Sequence, residues 1–349
     1  MSWLRTAALL VASTSLAHAN DVSPPVSAPV QDDGPIHRML ADVKARLDAA
    51  IVARPPKLVP PKKVAIKWKL AKLGTVDLGA PLVALTGADL DGDGHGELYA
   101  VTSREVIALA LKGKKLDEIG RVAFAGDRTS PMPRDVVGTI VVDGNAVIAS
   151  VSAFTRGMRV TWKGSTAGKG LAGELGDAGF VVCPGEAAQL APGRNYFGAD
   201  EKTAVYGVRC KAGLVEPDGH PLRLRAALGV ATARLSVDVE RCAAANLGCT
   251  PTGHFEYPNA GFAFDLADVE RDGKPEVIYA ASGAPGDPDI LRVITLGDDD
   301  KKHPRLKRQF AAGGVAGLAV VDLDGDGVDE VIAGVRLVGA SRVDLWRLE

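Results

Sequence analysis

Aromatic residues are scarce in this sequence, and its charges are nearly balanced. Only 5% of the 349 residues are aromatic, which weighs against a lectin that would stack sugars on exposed rings. Trp68, Trp162 and Trp346 fall in predicted strands, where we expect them to be packed. The formal net charge of −2 argues against a nucleic-acid-binding protein, because such proteins are normally basic.

The usual short motifs of catalysis are also missing. No G-x-S-x-G elbow, HExxH zinc motif, Walker loop or dinucleotide fingerprint occurs. The six histidines are scattered. His254 and the nearby Glu256 are a conceivable acid–base pair, but we expect them in an ordinary loop. We therefore expect no enzyme, and keep an extracellular polysaccharide hydrolase or lyase as an alternative.

Long apolar runs are confined to the N-terminus. Arg5 gives a positive start, the following stretch is mostly apolar and small, and residues 17–19 fit the A-x-A cleavage pattern. The run is too short to span a bilayer, and no cysteine follows it to carry a lipid. Residues 1–19 are predicted to be a signal peptide cleaved near Ala19. The mature protein should be exported to the periplasm or the extracellular space, and should not span a membrane.

Cysteines are few but even in number, which favours disulfides in an exported protein. Cys242 and Cys249 flank a short segment, so pairing them costs least, and Cys183 would then pair with Cys210. Four cysteines allow three pairings, so the connectivity stays open. A zinc site is the rival, but no CxxC or histidine pair accompanies the cysteines.

Residues 20–61 read as a flexible leader that contains one helix and a proline-rich linker. Apolar residues recur every three or four positions over about 36–53, which predicts a helix there. Two Pro-Pro pairs follow it. Residues 54–72 carry seven basic residues and no acidic one. They are either a contact for an anionic surface or, as we favour, a solvated linker and edge strand.

Glycine is abundant, and a nine-residue acidic pattern recurs three times, at residues 89–97, 268–276 and 322–330. Carboxylates stand at positions 1, 3, 5 and 9, and glycine at position 6. Acids this close repel one another unless a cation lies between them, and calcium suits such oxygen ligands. The candidate ligands, with backbone carbonyls at position 7, are Asp89, Asp91, Asp93, His95, Glu97, Asp268, Glu270, Asp272, Lys274, Glu276, Asp322, Asp324, Asp326, Val328 and Glu330.

Two alternatives stand beside the calcium interpretation of these loops. An EF-hand would need a glutamate at position 12, where Ala100, Tyr279 and Ala333 stand. A polar turn that binds no metal is the remaining alternative. It is strongest for the second loop, which has the bulky Glu270 at position 3 and basic residues beside it.

These loops with their flanking β-rich runs resemble FG-GAP/VCBS repeats, the calcium loops of integrin-like β-propellers. A Gly-Ala-Pro sequence at 283–285 also fits that family. The resemblance implies a propeller with two to three structural calcium ions. It departs at position 9, where the family usually has aspartate and all three copies here have glutamate, so mono- or bidentate contact stays open.

The strands around the loops can be grouped into blades. The first blade has Leu82–Leu85, Leu98–Val101, Val106–Leu111 and Ile119–Phe124. The blade of the second loop has Phe262–Phe264, Val277–Tyr279, Ile290–Ile294 and Leu306–Phe310. The last has Leu318–Val321, Val331–Ile332 and Val343–Leu348, and it lacks a fourth strand that the segment Val64–Leu73 can supply.

Residues 62–349 are therefore predicted to form one all-β propeller of about six blades, with five or seven possible, closed by an N-terminal strand. The β-like runs without an acidic loop are Gly138–Val142, Ala146–Val151, Met158–Trp162, Ala204–Val208 and Leu222–Leu224. We expect a non-catalytic scaffold that binds a protein or a cell-surface ligand. A calcium-dependent carbohydrate-binding protein is the alternative from another class.

Overall fold

Strands dominate the computed structural model, and a single helix precedes them among the described residues. The structure describes residues 35–54, 58–128, 136–163, 170–178, 180–183, 186–188, 207–229, 232–244, 247–281, 283, 287–299, 303–337 and 341–348. The chain divides into two compact units, residues 1–48 and 49–349. The predicted signal peptide lies outside the described residues.

Helix α1 (Pro35–Ala53) lies where the apolar periodicity predicts it. Its large apolar side chains, including Met39, Leu40 and Leu47, are exposed. Among the described residues, no helix is both long and apolar enough to cross a membrane.

Five antiparallel four-stranded sheets form the blades of a β-propeller. Strand β1 is Leu70–Asp77. Blade 1 contains β2 (Leu82–Ala88), β3 (Glu97–Thr102), β4 (Glu105–Lys112) and β5 (Lys115–Ala123). Blade 2 contains β6 (Gly138–Asp143), β7 (Ala146–Val151), β8 (Arg156–Lys163) and β9 (Gly170–Ala178).

The chain then forms a two-stranded hairpin before the remaining blades. The hairpin is β10 (Phe180–Cys183) with β11 (Glu186–Ala188). Blade 3 contains β12 (Val208–Val215), β13 (Pro221–Gly229), β14 (Arg234–Arg241) and β15 (Thr250–Pro258). Blade 4 contains β16 (Ala260–Ala267), β17 (Glu276–Ala281), β18 (Asp289–Thr295) and β19 (Leu306–Phe310). Blade 5 contains β20 (Gly313–Val321), β21 (Glu330–Leu337), β22 (Arg342–Leu348) and β1.

The apolar core lies between adjacent blades and explains why the inner strands are apolar on both faces. Separate clusters of buried side chains join blade 1 to blade 2, blade 3 to blade 4, blade 4 to blade 5, and blade 5 to blade 1. Every residue of β3 is buried, as are the first five of β17. The predicted all-β propeller is confirmed, and the five described blades fall within the predicted range.

The N-terminal strand closes the ring, as predicted. β1 pairs antiparallel with β22, from Leu70 opposite Leu348 to Asp77 opposite Arg342. The predicted limits were wrong, because the strand begins at Leu70 and not at Val64. Residues 64–69 still alternate between half-buried and exposed, but they are outside the ladder. Trp68 has a φ of 53°, which is incompatible with a regular strand.

Both favoured disulfides are present, Cys183–Cys210 and Cys242–Cys249. The first links the β10–β11 hairpin to blade 3. Two disulfides fit an oxidising environment such as an exported protein meets. No cysteine is left free, so the zinc alternative is wrong.

Candidate metal centres

The three acidic loops share one backbone arrangement, built first by the aspartate at position 1. Asp89 accepts hydrogen bonds from Gly92 N at 2.7 Å and Gly94 N at 3.0 Å. Asp322 accepts the equivalent bonds in the third loop at 2.8 and 2.7 Å. Asp268 is held by the backbone of positions 5 and 6 at 3.0 and 2.8 Å. Each loop is thus folded around its first carboxylate.

The aspartate at position 5 adds a second turn to each loop. Its Oδ1 accepts the backbone N–H of position 7 at 2.8 Å in the first loop, 3.0 Å in the second and 2.8 Å in the third. The glycine at position 6 has a positive φ in every copy, with Gly94 at 89°, Gly273 at 78° and Gly327 at 83°. A side chain there would be strained, which explains the conserved position of glycine within the repeat.

The glutamate at position 9 ties the following strand back to the loop. Glu97, Glu276 and Glu330 are 3%, 1% and 6% exposed. In each, Oε2 accepts the backbone N–H of position 2, at 3.2, 2.9 and 2.8 Å. The extra methylene of glutamate, compared with aspartate, is used to reach across the loop.

The first loop gathers four carboxylates and has a hydrogen-bonded relay behind them. Asp89, Asp91, Asp93 and Glu97 each place an oxygen within 4.8 Å of the others. The hydroxyl of the fully buried Tyr99 donates to Glu97 Oε2 at 2.8 Å. That hydroxyl accepts in turn from the indole N–H of Trp162 at 2.8 Å. Sequence reasoning missed this support, because Trp162 belongs to the neighbouring blade.

The third loop gathers three carboxylates beside one arginine. Asp322, Asp324 and Glu330 place oxygens within 4.8 Å of one another, and Asp326 is outside this group. The Arg347 guanidinium contacts Asp324 Oδ2 at 2.8 Å and Glu330 Oε1 at 3.0 Å. Asp324 Oδ1 is buried and has no hydrogen-bond partner among the described residues.

The second loop differs from the other two. Among the described residues, its acids do not form a group with oxygens gathered within the same limit. Lys63, from the segment that precedes β1, contacts Glu270 Oε2 at 3.2 Å and Asp272 Oδ2 at 3.0 Å. Its ammonium therefore stands beside two of the predicted ligands.

The first and third loops touch each other at the junction of blades 1 and 5. Gly96 N donates to the Asp322 carbonyl oxygen at 2.6 Å. A Cβ on Gly325 would lie 2.6 Å from the ring of His95. The two gathered groups of carboxylates are thus neighbours.

Burial disfavours the ionised form of the glutamates at position 9 when no cation is present. Burial raises the pKa of Glu97 to about 7, that of Glu330 to about 7 and that of Glu276 to about 8, and neighbouring aspartates add to the rise. A divalent cation between the carboxylates would favour the charged forms.

The donor sets of the first and third loops fit a hard cation. Carboxylate oxygens gather at both loops, although Arg347 also contacts two of the three acids of the third loop. Among the described residues, the buried Asp324 Oδ1 has no hydrogen-bond partner. Calcium accepts such irregular oxygen ligation. The carbonyls of position 7 are the further oxygens expected from the sequence.

A second candidate site, outside the acidic loops, lies on blade 3. His254 Nδ1 is 2.7 Å from Asp238 Oδ1, beside a cavity of about 800 Å³ that Arg223 and Arg225 also line. Glu256, the conceivable partner that the sequence analysis set aside, pairs with Arg234 instead. The predicted loop was wrong, because His254 lies on β15. The Asp238 hydrogen bond raises the pKa of His254.

Comparison with known proteins finds no matching family model and no matching curated protein. Solved structures with a similar fold include a PQQ-bound aldose sugar dehydrogenase from Streptomyces coelicolor. It is 16% identical, with a TM-score of 0.42, over 82% of this chain and 100% of that one. The core factor of S. cerevisiae is 8% identical, with a TM-score of 0.41, over 83% of this chain and 62% of that one. At these sequence identities and TM-scores, the similarity supports no conclusion about activity.

Proposed function

We propose that this protein is an exported propeller of the FG-GAP/VCBS type. It holds structural calcium in its first and third loops and acts as a non-catalytic scaffold for a protein or cell-surface ligand. Export rests on the N-terminal signal pattern and agrees with the two disulfides. The oxygens that gather at each of these two loops support the calcium sites, and they are the observation that carries the proposal.

The stabilising role of calcium follows from where the loops lie. Each loop joins the first two strands of a blade, β2 to β3 in blade 1 and β20 to β21 in blade 5. An ion that binds the folded loop and not the unfolded chain stabilises the fold by mass action, by about 2.7 kcal/mol at a hundredfold excess over Kd.

Thermal melting in calcium and in chelator tests this proposal. We expect the melting temperature to fall by a few degrees on chelation, since about 1 kcal/mol corresponds to roughly 2–4 °C in a domain of 150–250 residues and to a smaller shift in a larger one. Asp324→Ala should lower it in calcium and reduce the further loss on chelation. Asp298→Ala, which removes an exposed acid outside the three loops, is the control. Melting curves that are identical with and without calcium would refute the structural role.

The polysaccharide hydrolase or lyase alternative has one observation in its favour, the His254–Asp238 pair at the large cavity. A positioned histidine is a common general base. Turnover of a polysaccharide that His254→Ala abolishes, with melting unchanged, would favour this enzyme. Strong and specific binding on a glycan array without turnover would favour the carbohydrate-binding alternative.

A further inference from the structure

In the second acidic loop, a lysine of the same chain pairs with two of the acidic side chains. Lys63 Nζ lies within 3.2 Å of Glu270 and 3.0 Å of Asp272. Those two side chains are only 10% and 15% exposed, whereas the lysine side chain is 60% exposed. The lysine thus reaches in from the surface and places its ammonium against two sheltered carboxylates.

Two further side chains contact the carboxylate of Glu270, the acid at position 3. The indole N–H of Trp68 donates to Glu270 Oε1 at 3.2 Å, and the Arg305 guanidinium lies 3.9 Å from Oε2. Both carboxylate oxygens are therefore engaged. Lys63 and Arg305 together carry the same formal charge as one calcium ion.

The backbone holds the lysine in place. Val64 N donates to the Glu270 carbonyl oxygen at 2.8 Å. The neighbouring side chains of Ile66 and Trp68 pack against the core cluster between blades 4 and 5. Arg305 also lies over the Trp68 ring, 5.9 Å from its centroid. The segment of residues 62–69, which we term the strap, is thus fastened to the second loop at several points.

We propose that the ammonium of Lys63 replaces calcium in the second loop, which binds no metal and instead anchors the strap that leads into β1. The proposal rests on the proposed calcium sites only for its contrast with the first and third loops. An ammonium suits this place because the oxygens it meets belong to two acids and not to a gathered group of three or four. The loop keeps the fold of the calcium loops because Asp268 still accepts two backbone N–H groups.

Calcium stoichiometry of the full chain is the first test. We expect two ions per wild-type chain, measured by equilibrium dialysis and metal analysis, and none in Asp89→Asn/Asp322→Asn. One ion retained in the double variant, or three in the wild type, would overturn the proposal. Circular dichroism checks that the double variant is folded. If it is not, the number of calcium ions bound by the wild type is by itself the test.

Replacement of the lysine is the second test and does not depend on calcium. Lys63→Met should lower the melting temperature in metal-free buffer by a few degrees, because it leaves Glu270 and Asp272 without their ammonium. The exposed Lys67, on the same strap, provides the control Lys67→Met. With Lys63→Met, we expect limited proteolysis to cut the strap sooner.

The two tests separate the two proposals. If the wild type binds no calcium but Lys63→Met is destabilised relative to Lys67→Met, the proposed calcium function fails and the lysine anchor stands. If Lys63→Met melts and is cleaved like Lys67→Met, the lysine anchor is wrong, whatever the calcium count.

Discussion

At the residue scale, the relay from Trp162 through Tyr99 to Glu97 decides how one candidate ligand is presented. Tyr99 is fully buried, and its hydroxyl accepts from one blade and donates within the other. Replacing a group that holds a metal ligand in position typically lowers metal affinity by about 10- to 100-fold. We therefore treat Tyr99 as a positioning residue for the first loop.

Tyr99→Phe should weaken calcium binding at the first loop by about tenfold, because Glu97 loses its hydroxyl donor. A calorimetric calcium titration measures this, and the affinity of the third loop should stay unchanged. Tyr257→Phe is the control, since it removes a buried hydroxyl of blade 3 that accepts from Gly297 N, whereas the first and third loops belong to blades 1 and 5. Equal calcium affinities in the two variants would show that the relay has no role.

The raised pKa values of the position-9 glutamates predict an effect of pH on stability. Without calcium, the folded protein keeps the proton of Glu97 up to a pKa of about 7, whereas the unfolded chain releases it near the ordinary value of 4.5. In that window the folded state binds more protons, so stability contributed by this group falls as pH rises. Glu330 acts in the same direction.

Calcium should reverse this trend, because the ion binds the ionised carboxylates and competes with protons. The gain in melting temperature from calcium should therefore grow between about pH 5.5 and about pH 8. Differential scanning calorimetry of metal-free and calcium-loaded protein measures it. A gain that is constant across this range would contradict the assignment of Glu97 and Glu330 to the sites.

At the element scale, the first and third loops act as one junction between blades 1 and 5. Gly96 approaches so closely that a Cβ there would lie 2.1 Å from Val321 and 2.8 Å from the Asp322 carbonyl oxygen. Its N–H donates to that same oxygen. Gly96, at position 8 of the first loop, is thus packed against Asp322, at position 1 of the third loop.

Gly96→Ala should destabilise the protein by about 1–3 kcal/mol, the usual cost of overpacking, and weaken calcium binding at the third loop. Chemical denaturation and a calcium titration measure the two effects. Gly74→Ala is the control, because a Cβ at that strand position meets nothing within 4 Å. If both variants unfold at the same denaturant concentration, the close contact does not matter.

At the scale of the whole molecule, β1 closes the ring and covers the edge of β22. The closure includes Thr75 Oγ1 to Asp344 at 2.6 Å and Lys72 to the same carboxylate at 2.9 Å. Leu70 adds a buried side chain to the core between blades 4 and 5. Without β1, the outer edge of blade 5 would be an unpaired strand, which favours association between chains.

A chain that begins at residue 78 should therefore lose cooperative unfolding and self-associate. A chain that begins at residue 58, which keeps the strap and β1, is the control and should melt like the full chain. Circular dichroism and size-exclusion chromatography with light scattering distinguish them. A monomeric chain from residue 78 with an unchanged melting temperature would contradict closure by β1.

The local pattern of the sequence was enough to predict the blades that carry acidic loops. Runs such as Val277–Tyr279 and Val331–Ile332 follow turns whose glycine and aspartate positions are evident from the sequence. Blade 3 was harder, because β14 (Arg234–Arg241) and β15 (Thr250–Pro258) carry many polar residues and were missed. The alternation of Leu235, Val237 and Val239 was a signal that could have identified β14.

By itself, the sequence determined the three acidic turns and the strands beside them, since these follow from neighbours within nine positions. Which basic side chain stands beside the second and the third turn was decided only by tertiary structure. Lys63 is 207 positions from Glu270, and Arg347 reaches Asp324 only because β22 lies beside β21. The strap and ring closure bring these charges together, and no local pattern of residues records such contacts.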